Sequence, residues 1–406
     1  MIWQSAQLSL HQACLSYNTF IVTVLSYLWQ LSSPPQDVRA LESLALRKLA
    51  PGPGNWILPS DLWLLRTGWG YSNRFVSPHH KALAASVRVC LTDAVDYKEK
   101  SNTLRRLLGA TDEITNRIVW KDWYDSSFYA RLNSAYQEVK EMGISPSRVL
   151  IALLRKHDKD PKGEGKAYSA LESCIYEKIL SGEYINKQGP YTPYARARTL
   201  LNRWVGQSTD RDATRLIRIS KVIGATTQPC IHAAVIRTWR NGWITVRRMR
   251  FIDHTRQDKC VFGCSPTAHD SIEHYCHCPT LHKAGERALG HHYQCYDIPK
   301  GIQSTLLMVD AKESDHIQFL AVWIYLIYSS FNGATHSAQG HWNEEEVVDF
   351  LRQKITLLSG QIRSCKWLRT PSTVLHHHPP PADLRPAQSL LFGWLLARLS
   401  FARVRV

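Results

Sequence analysis

The chain has 406 residues, 44% of them hydrophobic, and 14 tryptophans, a composition that sets aside disorder in favour of packed domains. Fifty Lys and Arg against 34 Asp and Glu leave a formal charge of +16, which argues for a polyanionic partner such as RNA or DNA. Six of the ten cysteines (Cys14, Cys90, Cys174, Cys230, Cys295, Cys365) are scattered singly, so a disulfide-dense secreted domain is not expected and the protein reads as intracellular, nuclear or cytoplasmic.

In chain order, residues 1–31 read as one or two apolar helices. The run Thr19–Trp29 is too short for the roughly 20 residues a bilayer demands, so no membrane partner is expected and this run reads as a buried core helix, as does Ala321–Tyr328. A helix over Gln36–Leu49 stops at Ala50-Pro-Gly-Pro-Gly54, a strong breaker. Helical patterns follow over Lys81–Asp96, Lys98–Leu108 and Asp112–Tyr124. The charged stretch Lys156–Lys166, with its Gly and Pro, reads as a solvated loop, and Asn186–Thr192 as another. No β alternation of useful length occurs, so the expected fold is mainly α: a multi-helix basic scaffold. Between Pro193 and Arg250 there are twelve Lys or Arg and two acids, interleaved with Trp204, Trp239 and Trp243. Basic residues neutralise phosphates and aromatic rings stack on exposed bases. Arg237, Arg240, Trp243, Arg247, Arg248 and Arg250 are the candidate nucleic-acid-binding residues. Read as a helix or as an extended segment, 240–250 gathers most of its arginines into a ridge, although Trp239 and Trp243 read first as core.

That ridge runs into Cys260-Val-Phe-Gly-Cys264 and then His274-Tyr-Cys-His-Cys278, a C-x3-C-x9-H-x3-C spacing. Zn²⁺ takes four tetrahedral N or S donors, and two short-range pairs supply them with little chain to order. Cys260, Cys264, His274 and Cys278 are the expected ligands of a structural zinc ion, with Cys276, His277, His269 and His282 as near alternatives. All four positions are filled, which leaves no place for a catalytic water. Gly263 suits a positive-φ turn between the first pair. Asp270-Ser-Ile-Glu273 reads as a cap into a short helix that carries His274 and Cys278 on one face. Further on, helices are expected over Asp315–Phe331 and Asn343–Leu358, and a disordered, low-complexity tail around His376–Pro381.

The approach Arg240-Asn-Gly-Trp243-Ile-Thr-Val-Arg-Arg248, the first cysteine pair and Asp270-Ser-Ile-Glu-His274-Tyr through Cys278 together resemble the zinc-binding region of LINE-type, non-LTR retrotransposon reverse transcriptases. The likeness covers roughly 237–282. A weaker one, over Tyr17–Tyr27 through Trp56, resembles the thumb of such enzymes. The resemblance implies a thumb-like segment (1–50), a basic helical region (51–236), the basic approach with a CCHC knuckle (237–282), a C-terminal helical region (283–369) and the tail (370–406). It also implies the four zinc ligands, association with RNA or DNA, and a truncated product. No two aspartates are adjacent anywhere in the chain, so the paired carboxylates that hold two Mg²⁺ ions in a polymerase palm are missing. Nucleic-acid association is therefore expected and polymerisation is not. An alternative is a restriction-like endonuclease remnant, with Asp297, Asp310 and Lys312 in the order acid, spacer, acid-x-Lys. Another is a degenerate fragment without function.

Overall fold

A computed structural model describes residues 9–361 apart from 33, 36, 54–55, 94–126, 158–159, 161, 183–191, 250–257, 291–292, 294–304, 309–310, 312 and 338–339. Among the described residues every regular element is helical, as the lack of β alternation leads one to expect. The patterns over 98–108 and 112–124, the loop at 186–191 and the tail lie outside them.

Ser9 opens the first helix through a reciprocal cap with Gln12, and Leu10–Ser16 continues through a π-helical stretch, Tyr17–Val22, into Thr23–Leu31. Ala13, Cys14, Tyr17 and Val22 face inward, whereas Leu15, Phe20, Ile21, Val24, Tyr27, Leu28 and Leu31 are exposed. The expectation of a buried core helix is corrected here: one stripe packs on the Pro78–Asp93 helix, and the rest of an all-round apolar surface is exposed. The central apolar helix behaves as expected. Ser314–His336 is long and apolar enough to cross a membrane, yet 72% of its most apolar window is buried inside the protein. It packs against Pro229–Trp239 and Asp210–Thr226.

The charged stretch 156–166 is shorter as a loop than expected, because the chain leaves one helix at His157 and enters the next at Gly163. Asp160 tightens the connection, accepting from the Lys162 N–H at 2.9 Å and pairing with Lys166. Toward the C-terminus, Pro279–Leu289 lies against Glu344–Gln361, pinned by Arg287 between Glu344 and Glu345 at 3.0 and 2.7 Å.

One hydrophobic cluster runs from Ala13 to Leu358, across the expected borders at 50, 236 and 282. The turn after Leu49 shows how it is tied together. Trp56 donates to the Ala50 carbonyl at 3.0 Å, and Arg237 donates to Pro51 at 2.7 Å while lying 5.0 Å over the Trp56 ring. The N-terminal turn is thereby docked on the end of the Pro229–Trp239 helix, where the basic approach begins.

Candidate metal centre and its basic approach

The approach leaves the Pro229–Trp239 helix through Arg240 and turns at Asn241, whose φ of 54° is left-handed, a conformation a short polar side chain tolerates. Among the described residues it is neither a helix nor a strand until a single turn forms at Val246–Met249. Arg240 is enclosed and pairs with Asp61, with both side chains almost without exposure, and its guanidinium lies 5.0 Å over Trp69. Trp243 is buried between Tyr275 and Phe331, with ring centroids 5.8 and 5.1 Å away, and donates to Thr238 at 2.9 Å. Arg237 is committed to Pro51, Gly242 and Trp56. All three hold the approach in the fold: Trp243 is buried in the core, Arg240 is the charge partner a buried Asp61 requires, and Arg237 is half-buried. Arg247 and Arg248 are exposed. Arg250 lies outside the described residues.

Beyond it the chain folds on itself through short backbone bonds. Cys260 N–H donates to Ala268 at 2.9 Å and Gly263 N–H to Cys260 at 3.1 Å. Gly263 takes the expected positive φ, at 61°. The Phe262 N–H points at the Cys260 sulfur, 3.4 Å away. Ser271, one residue after the expected Asp270, caps the next helix by accepting from His274 at 3.1 Å. That helix, Ile272–Tyr275, stops three residues before Cys278, which instead forms the N-cap of Pro279–Leu289. The expected single helix carrying both ligands is thus corrected to two. Pro279 favours the first turn of a new helix and pushes the residue before it to extended backbone.

These turns bring Cys260, Cys264, His274 and Cys278 together, with their donor atoms all within 4.8 Å of one another. Cys260 and Cys278 sulfurs are 3.8 Å apart, and Cys264 Sγ lies 3.2 Å from His274 Nε2. The sulfurs are unlinked: a disulfide needs about 2.05 Å. A tetrahedral ion with thiolate arms of about 2.3 Å requires sulfur–sulfur edges of about 3.8 Å, so this donor set fits such an ion. Cys260 and Cys278 are buried and the other two half-buried. Either thiol can donate in the Cys260–Cys278 contact, and their proximity holds the Cys260 thiol below its usual range and pushes the Cys278 thiol above it.

The alternative ligands are engaged elsewhere. Cys276 is buried, with its thiol donating to Ile272 at 3.3 Å and its pKa raised by burial. His282 contacts Tyr293 and the Cys276 carbonyl, and His269 pairs with Asp258 at 3.0 Å. His277 is exposed and lies outside the group of four.

Sequence reasoning missed two carboxylates that brace the approach. Asp61 gathers Leu58 N–H, Arg196 and Arg240. Asp270 accepts from Val246 N–H at 2.7 Å and from the Tyr275 hydroxyl at 2.6 Å. Their distant partners left no local signal: Arg240 lies 179 residues from Asp61 and Val246 24 residues from Asp270. Of the nuclease-like set, Asp297, Asp310 and Lys312 lie outside the described residues, and Thr305–Leu306 between them is helical. No protein-family model matches this chain, and no curated protein does.

Proposed function

We propose that this chain is a zinc-stabilised nucleic-acid-binding fragment of a LINE-type reverse-transcriptase-like protein, with Zn²⁺ held in a CCHC knuckle. The observation that carries the reading is the closure of three sulfurs and one imidazole nitrogen on one point, reached directly from the exposed Arg247 and Arg248. Three thiolates and a neutral imidazole are a donor set that zinc takes in closed structural sites, and binding there is coupled to folding. The excess of 16 positive charges supports a phosphodiester partner. The knuckle's role is to hold a basic edge, not to perform chemistry.

Elemental analysis of the reduced, purified chain should give one Zn²⁺ per molecule, and Cys260→Ser should lose most of it. Fluorescence anisotropy with labelled RNA and DNA oligonucleotides should show binding that weakens steeply with salt. Metal content near zero would sink the zinc half of this reading, and no binding at low salt would sink the other.

A further inference from the structure

Two elements far apart in sequence converge beside the metal centre. Arg203 and Trp204 stand near the end of the Pro193–Val205 helix, and Arg247 and Arg248 stand on the turn that leads to the cysteines. Glu273, the neighbour of His274, holds the first of these elements: it accepts from the Trp204 indole at 3.2 Å and lies 3.7 Å from the Arg203 guanidinium. Arg203 is partly exposed, at 37%. Burial, opposed by Glu273 and aided by the charges of Arg248 and Arg247, lowers its pKa. Three arginines and one glutamate leave a local surplus of positive charge.

The metal loop holds both sides of this surface. Asp270 accepts from Val246 N–H with its carboxylate at 2.7 Å and from Arg247 N–H with its carbonyl at 3.4 Å. Glu273 holds Trp204 and Arg203. Neither acid is a ligand, yet both sit on the short stretch between Cys264 and Cys278 whose shape the four ligands define.

Resting on the nucleic-acid reading above, we infer that Arg203, Arg247 and Arg248 form one phosphodiester-binding surface that is assembled only while the Cys260–Cys264–His274–Cys278 centre is metal-loaded, with Asp270 and Glu273 as positioning residues. Three guanidinia on one surface suit successive backbone phosphates rather than a base edge, so contact is independent of sequence. Removing the metal frees the loop, releases Val246 and Trp204 together, and disperses the three charges.

The test measures binding of the full chain to a fluorescein-labelled single-stranded oligonucleotide over a range of KCl, with zinc bound and after chelation. Arg203→Ala should lower the slope of log K against log salt by about 0.7, and Arg203→Lys should restore most of it, which a purely structural arginine would not allow. Glu273→Gln keeps the Trp204 acceptor and removes the charge, so affinity should rise about two- to fivefold. Chelation should bring the wild-type slope down to that of the Arg203→Ala/Arg247→Ala/Arg248→Ala variant. Asp270→Ala should do the same for the Arg247–Arg248 share while zinc content holds. If the loaded chain binds but Arg203→Ala or chelation leaves the slope unchanged, this inference is wrong and the broader reading stands. Absence of oligonucleotide binding in either metal state defeats both. Arg203-dependent binding to polyglutamate but not to the oligonucleotide would replace the phosphodiester with an acidic protein.

Discussion

Two aspartates hold the two ends of the basic approach, and they do so by different physics. At its start, Asp61 lies in the hydrophobic core and neutralises Arg240, with Arg196 at 3.3 Å; Trp69 covers the pair. At its end, Asp270 lies on the metal loop and accepts main-chain and tyrosine hydrogen bonds. The first end is fixed by burial of large side chains such as Trp69, Trp239 and Trp243. The second sits on a loop with one short helix, Ile272–Tyr275, where four potential metal donors lie within 4.8 Å of one another. A basic surface beside such a loop can depend on metal while the scaffold behind it does not.

Metal removal breaks this comparison most sharply. Structural zinc contributes on the order of 10 kcal/mol to folding in small metal-dependent modules. Chelation should therefore abolish hydrogen-exchange protection at Cys260, Gly263 and Ala268, whose N–H groups bond within the loop, and spare the Ser314–His336 helix. Equal loss in both places would mean that the loop is no separate unit of stability.

At the other end, Asp61→Ala leaves the Arg240 guanidinium buried without its partner, at a cost of about 3–5 kcal/mol. The urea midpoint should fall accordingly while zinc content stays constant. Adding Arg240→Met should recover much of the loss, because an apolar side chain of similar length removes the stranded charge. A double variant as unstable as the single one would show that Asp61 acts through Leu58 and Arg196 instead.

A third carboxylate sharpens the contrast. Glu42 is buried beside the Tyr17 hydroxyl at 3.4 Å and Ser77 Oγ at 3.2 Å, and burial raises its pKa to about 7. Between its unfolded value near 4.3 and about 7, the folded state holds the proton that the unfolded state loses. Stability therefore falls as pH rises through that window, by up to about 4 kcal/mol, and levels off above it. Glu42→Gln should flatten this slope and raise the melting temperature at pH 8. An unchanged pH profile would place an ionised, compensated carboxylate there.

The helical class was legible because the apolar spacing is helical almost throughout, and the metal donors were legible because ligation imposes short spacings that any sequence displays. Gly263 could be read for the same reason: a turn that closes two thiolates on one ion needs positive φ. The helix boundary at Tyr275 was not legible, because Ser271 and Asp270 are both good caps and only the placement of Val246 assigns Asp270 to another task. The fate of the arginines was hidden too. Arg240 and Arg247 look alike in a basic run, and the carboxylate that takes Arg240 inside stands 179 residues earlier.

The sequence by itself determined the donors, the helical architecture and the surplus of positive charge, since each depends on residue type and on neighbours within a few positions. Only the tertiary structure decided which basic residues face solvent, which tryptophans are core, and that Arg203 stands beside the metal loop. Those outcomes depend on burial and on pairing between distant segments. A guanidinium is drawn inside where a buried carboxylate awaits it and stays in water where none does.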